Sequence, residues 1–385
     1  MAGFRNLVNF GKNSFVLTAL TNAIIFTGKT EITGGTVLIE DDRIKSISDF
    51  ELNPAGARII NCTGYYIAPG LIDLHIAGGG GYLFSENLSG EALKAITTSI
   101  LKSGTTGFLI AIPTNSFDVY RKAIRVVKEN PHPALLGLHL EGPYINPVKG
   151  GAHMKDYIKR PDKEEIIELL EEAGGVVKMM TLAPEVSDPE IIRLLRDYGV
   201  VISAGHSNAT FAEAMKGFDW GIQATTHLFN AMSSFHHRDS GLPGATFESD
   251  NIFASIIADG IHVSYNTLSI SKKIMKERLY LVSDAVEENK HGAYLHVRQK
   301  DRFTLPDGTL SGSKLTMIKA VKNCVEHTGI RLDEALRMAS TYPARVIKAK
   351  DKGEIIPGYK ADLVIFSKDF EIKNICIDGV INLAD

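Results

Sequence analysis

Two histidines stand at the ends of two β-rich segments that follow each other in the chain. His206 comes directly after the predicted strand Val200–Ala204 and its glycine, and His227 ends the predicted strand Ala224–His227. The residues Phe211–Asp219 between them predict one helix. Parallel strands joined by a helix bring both imidazoles to the same edge of a sheet. Histidine is the commonest metal ligand in proteins, so this pair favours a metal site over two unrelated buried histidines.

The composition indicates a folded globular protein and gives no reason to expect a polymeric partner. The chain has 385 residues, of which 44% are apolar, enough for a large core. A net charge of −3 offers no argument for nucleic acid or a membrane surface, and no apolar run reaches about 18 residues. Met1–Ser14 lacks the apolar stretch of a secretory signal. Three widely spaced cysteines suit reduced thiols, so we expect a cytoplasmic protein. If a metal is bound, histidine and carboxylate must supply its ligands.

The middle of the chain alternates predicted strands and helices. The predicted strands are Leu71–Ile76, Thr106–Ile112, Leu135–Leu140, Val177–Leu182, Val200–Ala204, Ala224–His227, Phe253–Ala258 and Leu279–Ser283. Besides Phe211–Asp219, the predicted helices are Gly90–Ser103, Asp118–Asn130, Asp162–Ala173, Pro189–Tyr198, Asn266–Lys276, Leu315–His327 and Leu332–Ser340. Eight strands with intervening helices favour a (β/α)8 barrel of the TIM type. A doubly wound open sheet is the alternative, but its GxGxxG turn is missing, and the run Gly78–Gly81 is interpreted as a flexible loop or a ligand contact.

Both ends of the chain are β-rich. Predicted strands near the start are Ala19–Thr27, Gly35–Ile39 and Arg43–Ile47, and those near the end lie within Gly353–Phe366 and Glu371–Asp378. We therefore predict an α/β protein in which a small β-sandwich domain, built from both termini, accompanies the barrel. The alternative is two unrelated β appendages. The predicted division assigns 1–65 and 346–385 to the small domain and 66–345 to the barrel.

In such a barrel, the side chains that do chemistry lie at the carboxyl ends of the strands. Besides His206 and His227, these positions hold His75 after the first strand, Glu141 after the third and Asp284 after the eighth. Two histidines and one carboxylate, with water in the fourth position, form an open catalytic zinc arrangement. Simpler interpretations remain: Glu141 could be a solvated loop residue, and Asp284 could cap the next segment.

Seven short motifs lie in order along the chain, from the first barrel strand to the last. They are Ala68–His75, His139–Tyr144, Ala204–Thr210, Thr226–Met232, Ile257–His262, Val282–Ala285 and Leu310–Ser313. Together they resemble the N-acetylglucosamine-6-phosphate deacetylases, a branch of the amidohydrolase superfamily. The resemblance covers nearly the whole chain. It implies a barrel hydrolase of amino-sugar catabolism that converts N-acetyl-D-glucosamine 6-phosphate to glucosamine 6-phosphate and acetate.

The resemblance also implies roles for the residues that match the family's motifs. Glu141, His206 and His227 would hold one divalent metal ion per subunit, with zinc the expected metal. Asp284 would act as general base and then acid, and His153 would polarise the acetyl carbonyl. A homodimer is also implied. The residues expected to hold the sugar phosphate are Ala152, His153, Asn230, Ala231, Arg238, His262, Leu310, Ser311 and Gly312.

The first barrel strand departs from the superfamily pattern. Many amidohydrolases have His-x-His there for a second metal, whereas this chain reads His75-Ile76-Ala77, and its fourth strand ends without a bridging lysine. Alanine has no donor atom, so we expect one metal, with His75 in a supporting or structural role. Two alternatives stay open: a deacetylase that prefers the galactosamine epimer or another N-acyl sugar phosphate, and a barrel that binds without turnover.

Overall fold

The structure is a computed structural model that describes residues 17–383, so the prediction on Met1–Ser14 lies outside the described residues. It begins with five strands, β1 (Leu17–Phe26), β2 (Glu31–Glu40), β3 (Arg43–Ser48), β4 (Arg58–Asn61) and β5 (Tyr66–Pro69). All five belong to one sheet. The first three correspond to the β-rich segments predicted near the start of the chain.

The next ten strands include those of the predicted barrel. They are β6 (Leu71–Ile76), β7 (Gly78–Gly79), β8 (Tyr82–Leu83), β9 (Thr105–Pro113), β10 (Leu135–Glu141), β11 (Val177–Leu182), β12 (Val201–Ala204), β13 (Ala224–Thr225), β14 (Phe253–Ile257) and β15 (Leu279–Val282). Eight of them, β6 and β9–β15, pair in parallel in sequence order. A bridge between Ile76 and Ala285 closes the ring. Beside it, the Asp73 carboxylate accepts hydrogen bonds from the backbone N–H and hydroxyl of Ser283. The predicted barrel is confirmed.

Helices connect the barrel strands and follow the last of them. They are α1 (Gly90–Lys102), α2 (Phe117–Glu129), α3 (Lys163–Ala173), α4 (Pro189–Asp197), α5 (Phe211–Trp220), α6 (Gly241–Glu248), α7 (Tyr265–Met275), α8 (Met317–Thr328), α9 (Leu332–Ala339) and α10 (Thr341–Val346). Short 3-10 helices occupy Pro147–Lys149, Lys155–Tyr157, Pro184–Val186 and Lys276–Arg278. Within residues 17–383, no helix has the length and apolarity needed to cross a membrane.

The sequence pattern did not predict α6 or α10. Most of α6, from Gly241 to Thr246, is buried, so the helix has no polar face to reveal a helical period. Only six residues form α10, too few for a period to show. In contrast, α5 has the predicted position, and a capping box between Thr210 and Glu213 fixes its start.

The glycine run forms an ordered hairpin, so its interpretation as a flexible loop is wrong. Gly78–Gly79 pairs with Tyr82–Leu83, and the turn residues Gly80 and Gly81 have φ angles of +60° and +89°. Side chains are disfavoured in this region of φ. A Cβ on Gly80 would also lie 2.6 Å from the carbonyl oxygen of Ala95. Glycine is therefore required by the turn itself.

A three-stranded antiparallel sheet is inserted between β15 and α8. Its strands are β16 (Val297–Arg298), β17 (Arg302–Thr304) and β18 (Leu310–Ser313). The backbone N–H of Ser313 donates to the carbonyl oxygen of Asp284, 2.9 Å away, so β18 is attached to the closing point of the barrel. Leu310, Ser311 and Gly312, which are expected to hold the sugar phosphate, therefore lie on a strand.

The small domain is a single sheet made by both ends of the chain. Its last strands are β19 (Leu363–Phe366), β20 (Ile372–Ile377) and β21 (Val380–Leu383). β5 joins the two ends because it pairs with β1 on one side and β19 on the other. Ile44 near one edge and Cys376 near the other share one apolar core, so the sheet curls around that core. The predicted small β domain is confirmed, although its strands form one continuous sheet and include Tyr66–Pro69, beyond the expected boundary at 65.

Candidate active site

The three predicted metal ligands meet at the carboxyl ends of their strands. Glu141 ends β10, His206 follows β12 and His227 follows β13, and all three are buried. Glu141 Oε1 lies 3.2 Å from His206 Nε2 and 3.0 Å from His227 Nε2. The two Nε2 atoms are 3.1 Å apart. Donors bound to one tetrahedral zinc ion stand about 3.3–3.4 Å from each other, so these three atoms fit a single ion of that size.

The backbone at these strand ends is held in an uncommon conformation. His206, His227, Ala231 and Asp284 have φ angles of +46°, +37°, +49° and +50°. Side chains rarely adopt this left-handed region, and each such residue costs about 1–3 kcal/mol when the surroundings enforce it. Strain of this kind concentrates at functional sites. Here it turns the ligands and Asp284 toward one cavity.

The imidazole of His206 has a defined proton position. Its Nδ1 lies 2.9 Å from the carbonyl oxygen of Lys149, which can only accept, so Nδ1 carries the proton. Nε2 therefore presents its lone pair to the other ligands, as a metal-binding histidine requires. His227 differs, because its buried Nδ1 has no partner among the described residues. Instead, its backbone N–H donates to Ser255 Oγ at 2.7 Å.

The electrostatics of the site centre on the Glu141 carboxylate. Burial would raise its pKa, but the imidazoles around it, first His75 and then His206, hold that pKa well below its usual range. His75 Nε2 lies 3.5 Å from Glu141 Oε2 and 3.5 Å from Asp284 Oδ1. Burial would lower the pKa of His75, yet these carboxylates raise it to about 9. His75 thus bridges Glu141 and Asp284, while Ala77 lines the cavity without a donor atom.

His153 presents an N–H group to the carboxylate of Glu141, one of the predicted metal ligands. Its Nδ1 accepts a hydrogen bond from the backbone N–H of Thr114 at 3.2 Å, and the Thr114 hydroxyl lies 2.7 Å from the same atom. A backbone N–H can only donate, so the ring proton is on Nε2, 3.2 Å from Glu141 Oε2. Burial lowers the pKa of His153 to about 4, so the ring is a neutral donor. Such a donor suits a carbonyl oxygen that gains negative charge.

Asp284 is fixed through its backbone, and its side chain stays accessible. Its N–H donates to the carbonyl oxygen of His75 at 2.9 Å, and its own carbonyl accepts from Ser313 at 2.9 Å. The carboxylate lines the same cavity as the metal ligands, and 20% of the side chain is exposed. A carboxylate in this setting can exchange protons with a bound molecule.

A cavity of about 410 Å³ joins these groups to most of the predicted substrate residues. Asn230 is oriented by weak donation from its Nδ2 to the carbonyl oxygens of His227 (3.3 Å) and Leu228 (3.4 Å). His262 Nδ1 lies 2.6 Å from Asp259 Oδ2, which fixes the ring and leaves Nε2 for a ligand. The predicted residues that line the cavity are Ala152, His153, Asn230, Ala231, His262, Leu310, Ser311 and Gly312.

Arg238 is the predicted residue that the structure does not bring into the cavity. It lies on an exposed loop, and its Nε donates to His237 Nε2 at 3.2 Å. Backbone hydrogen bonds between His236 and Asp239 close the loop into a tight turn. Its expected role with the phosphate therefore stays a prediction.

Tyr294 and His296 are cavity residues that the sequence pattern did not predict. Both lie in the segment before β16. The Tyr294 hydroxyl donates to the carbonyl oxygen of Thr114, the residue that orients His153. His296 Nδ1 lies 2.9 Å from Ser311 Oγ, and burial lowers the pKa of His296 to about 4. The neighbouring strands are only two to four residues long, so no periodic pattern pointed to this segment.

The fold and the site define the class of protein. The sequence pattern of the amidohydrolase family matches residues 66–381, and the chain belongs to that family. An N-acetylglucosamine-6-phosphate deacetylase from Haemophilus influenzae is 32% identical over 380 residues, which cover 94% of this chain and 98% of that protein. An N-acetylgalactosamine-6-phosphate deacetylase from a Shewanella species is 32% identical over 325 residues, which cover 81% of this chain and 82% of that protein. The crystal structure of N-acetylglucosamine-6-phosphate deacetylase from Pasteurella multocida matches with a TM-score of 0.92 and 34% identity, covering 95% of this chain and 100% of that one.

Proposed function

We propose that the protein is a metal-dependent hydrolase that removes the N-acetyl group from N-acetyl-D-glucosamine 6-phosphate, releasing glucosamine 6-phosphate and acetate. The observation that carries this proposal is the meeting of Glu141, His206, His227 and Asp284 in one cavity. The relatives named for this substrate support it. The match to the relative named N-acetylgalactosamine-6-phosphate deacetylase covers less of both chains, so that epimer is the second candidate.

The chemistry of the donor set supports one divalent ion held by Glu141, His206 and His227. Zinc is the best candidate for two imidazoles and one carboxylate. When bound, the ion supplies Lewis acidity, which makes water and the acetyl carbonyl more reactive at neutral pH. An acetamide needs this help because its carbonyl is a weak electrophile and its amine a poor leaving group.

The protein's own groups would then handle the protons. Asp284 accepts a proton from the attacking water and delivers it to the departing nitrogen, so one carboxylate serves as base and then as acid. The Nε2–H of His153 donates to the acetyl oxygen as negative charge develops there. His262, held by Asp259, and the oriented amide of Asn230 would bind the sugar phosphate together with Arg238. The homodimer and the cytoplasmic location expected from the sequence are part of the same proposal.

The proposal is tested by measuring acetate release from the 6-phosphates of N-acetylglucosamine and N-acetylgalactosamine, with and without a chelator. We expect chelator-sensitive release, faster from the glucosamine substrate. Faster release from the galactosamine substrate would assign the other epimer. Binding of both sugars without acetate release would favour a barrel that has lost turnover.

The metal content is a separate prediction. Ala77 offers no ligand, and β11 ends without a bridging lysine, so we expect one tightly held divalent ion per chain. Elemental analysis of protein purified without chelator measures this number directly. Two equivalents would contradict the prediction and would assign His75 to a second metal.

A further inference from the structure

We propose that Glu185 is a positioning residue that fixes the orientation and proton position of His206, and through it the affinity for the metal. The inference rests on the metal site proposed above. Glu185 lies in the 3-10 helix Pro184–Val186, directly after the fourth barrel strand, β11. It forms no hydrogen bond or ion pair with the side chains of the proposed metal ligands, so it would act through its neighbours.

The Glu185 carboxylate accepts hydrogen bonds from three neutral groups. Its Oε1 accepts from Asn146 Nδ2 at 2.9 Å and from the backbone N–H of Asn208 at 2.6 Å. Its Oε2 accepts from Ser207 Oγ at 2.7 Å. No lysine, arginine or histidine in the described part of the chain forms an ion pair with it. Hydrogen bonds to a charged group are stronger than neutral ones, so this carboxylate binds its three neighbours firmly.

Two of these donors belong to the residues that follow His206 in the chain, and the third belongs to a separate turn that also contacts His206. Ser207 and Asn208 come next in the chain after His206. Asn146 begins the turn that touches His206 twice: its backbone N–H donates to the His206 carbonyl at 2.9 Å, and the Lys149 carbonyl accepts from His206 Nδ1 at 2.9 Å. One carboxylate therefore ties together the two segments that enclose this ligand.

The side chain of Asn146 transmits the effect. Its Nδ2 is committed to Glu185, and its Oδ1 accepts from the backbone N–H of Val148 at 2.9 Å, capping the 3-10 helix Pro147–Lys149. The position of the Lys149 carbonyl depends on that helix. Glu185 thus controls the acceptor that keeps the proton of His206 on Nδ1.

His206 needs this support because its conformation is unfavourable in isolation. Its φ of +46° persists only if the surroundings hold it. If the Lys149 carbonyl shifts, Nδ1–H loses its acceptor, and the form protonated on Nε2, which cannot bind a metal through that atom, becomes competitive. Groups that orient a metal ligand in this way are typically worth about 10–100-fold in metal affinity.

Glu213 provides a matched control in the connection that follows His206. Its carboxylate accepts from the backbone N–H and the hydroxyl of Thr210, both at 2.8 Å, and caps α5. It touches nothing that holds His206. Removal of Glu213 should therefore lower stability without changing the metal site, which separates positioning from general loss of structure.

The experiment measures zinc affinity by chelator competition on the whole protein and on Glu185→Ala, Glu185→Gln and Glu213→Ala. Glu185→Ala should bind zinc about 10–100-fold more weakly. Glu185→Gln should stay within about threefold of wild type, because its oxygen can accept from Asn146 and Asn208 while its amide donates to Ser207. Glu213→Ala should bind zinc like wild type.

Several outcomes would overturn the inference. Wild-type affinity in Glu185→Ala would mean that Glu185 does not position His206. Equal losses in Glu185→Gln and Glu185→Ala would mean that its charge acts, and not its hydrogen bonds. If Glu185→Ala does not fold, Asn146→Ala and Ser207→Ala each remove one link, and unchanged affinity in both would refute the inference. A wild-type protein that binds no zinc would instead refute the proposed metal site.

Discussion

The parts of the site predicted to bind the metal and the phosphate are built in different ways. At the metal end, Glu141, His206 and His227 lie on or just after barrel strands, are buried, and bring their donor atoms within 3.0–3.2 Å of each other. At the rim, the name used for the loop that follows β13, Arg238 is exposed and does not line the cavity. The end of a strand holds the backbone position of a residue, whereas the conformation of an exposed loop is more variable.

This contrast predicts different functional effects for substitutions at the metal end and at the rim. A rigid, buried arrangement of charges and donors acts on the transition state, because it does not reorganise during the reaction. An exposed residue at the rim can add binding energy for one part of the substrate. Substitutions at the metal end should therefore change turnover, and substitutions at the rim should change selectivity for the phosphate.

The largest expected effect is that of Asp284→Asn at the metal end. Asparagine has the same shape but can neither accept nor deliver the proton, so kcat should fall about 10²–10⁴-fold. Metal content and substrate affinity should persist, and both can be measured on the same preparation. A variant that retains more than about a tenth of the wild-type rate would contradict the assignment and make His75 the next candidate.

The second effect, at the rim, is that of Arg238→Ala. A guanidinium can form two parallel hydrogen bonds with phosphate. Each is worth about 1.5–3 kcal/mol when shielded from water and less on an exposed loop, so kcat/KM for the 6-phosphate should fall by roughly one to three orders of magnitude. Hydrolysis of unphosphorylated N-acetylglucosamine should barely change. Equal losses on both substrates would show that Arg238 supports the loop and does not hold the phosphate.

A smaller effect is expected for Thr114→Val. The hydroxyl next to His153 Nδ1 is lost, but the backbone N–H that donates to Nδ1 remains. One neutral hydrogen bond is worth about 0.5–1.5 kcal/mol, so kcat should fall roughly 2–10-fold while zinc affinity stays the same. A loss as large as that of Asp284→Asn would mean that the backbone contact alone does not orient His153.

The last effect concerns stability and not the reaction rate. A metal present at about 100–1,000 times its dissociation constant stabilises the folded state by about 2.7–4 kcal/mol. For a chain of this length, its removal should lower Tm by about 3–5 °C. Thermal unfolding with chelator and after zinc addition measures the shift. The Arg238→Ala protein, which keeps the metal end intact, should show the same shift in Tm. If this variant shows no shift, the loop that carries Arg238 and the metal end are coupled.

The meeting of Glu141, His206 and His227 could be predicted from sequence for a physical reason. Apolar strands such as Leu135–Leu140 end abruptly in a polar residue, here Glu141, and the barrel brings all such ends to one face. His296 and Tyr294 could not be found in this way, because short strands carry no period and long-range packing decides their positions. Glu185 was also missed, since its partners come from two separate connections and only the folded chain brings them together.

The small sheet has a consequence for how the protein is made. β5 pairs with β19, whose residues the ribosome adds about 300 positions later. Until then, one edge of β5 has no partner strand. At roughly 5–20 residues per second, the growing chain spends about 15–60 s with that edge of β5 unpaired. An unpaired edge is a template for wrong pairing. The first strands of this protein should therefore be its most aggregation-prone part during translation, and chaperone binding there should end when β19 emerges.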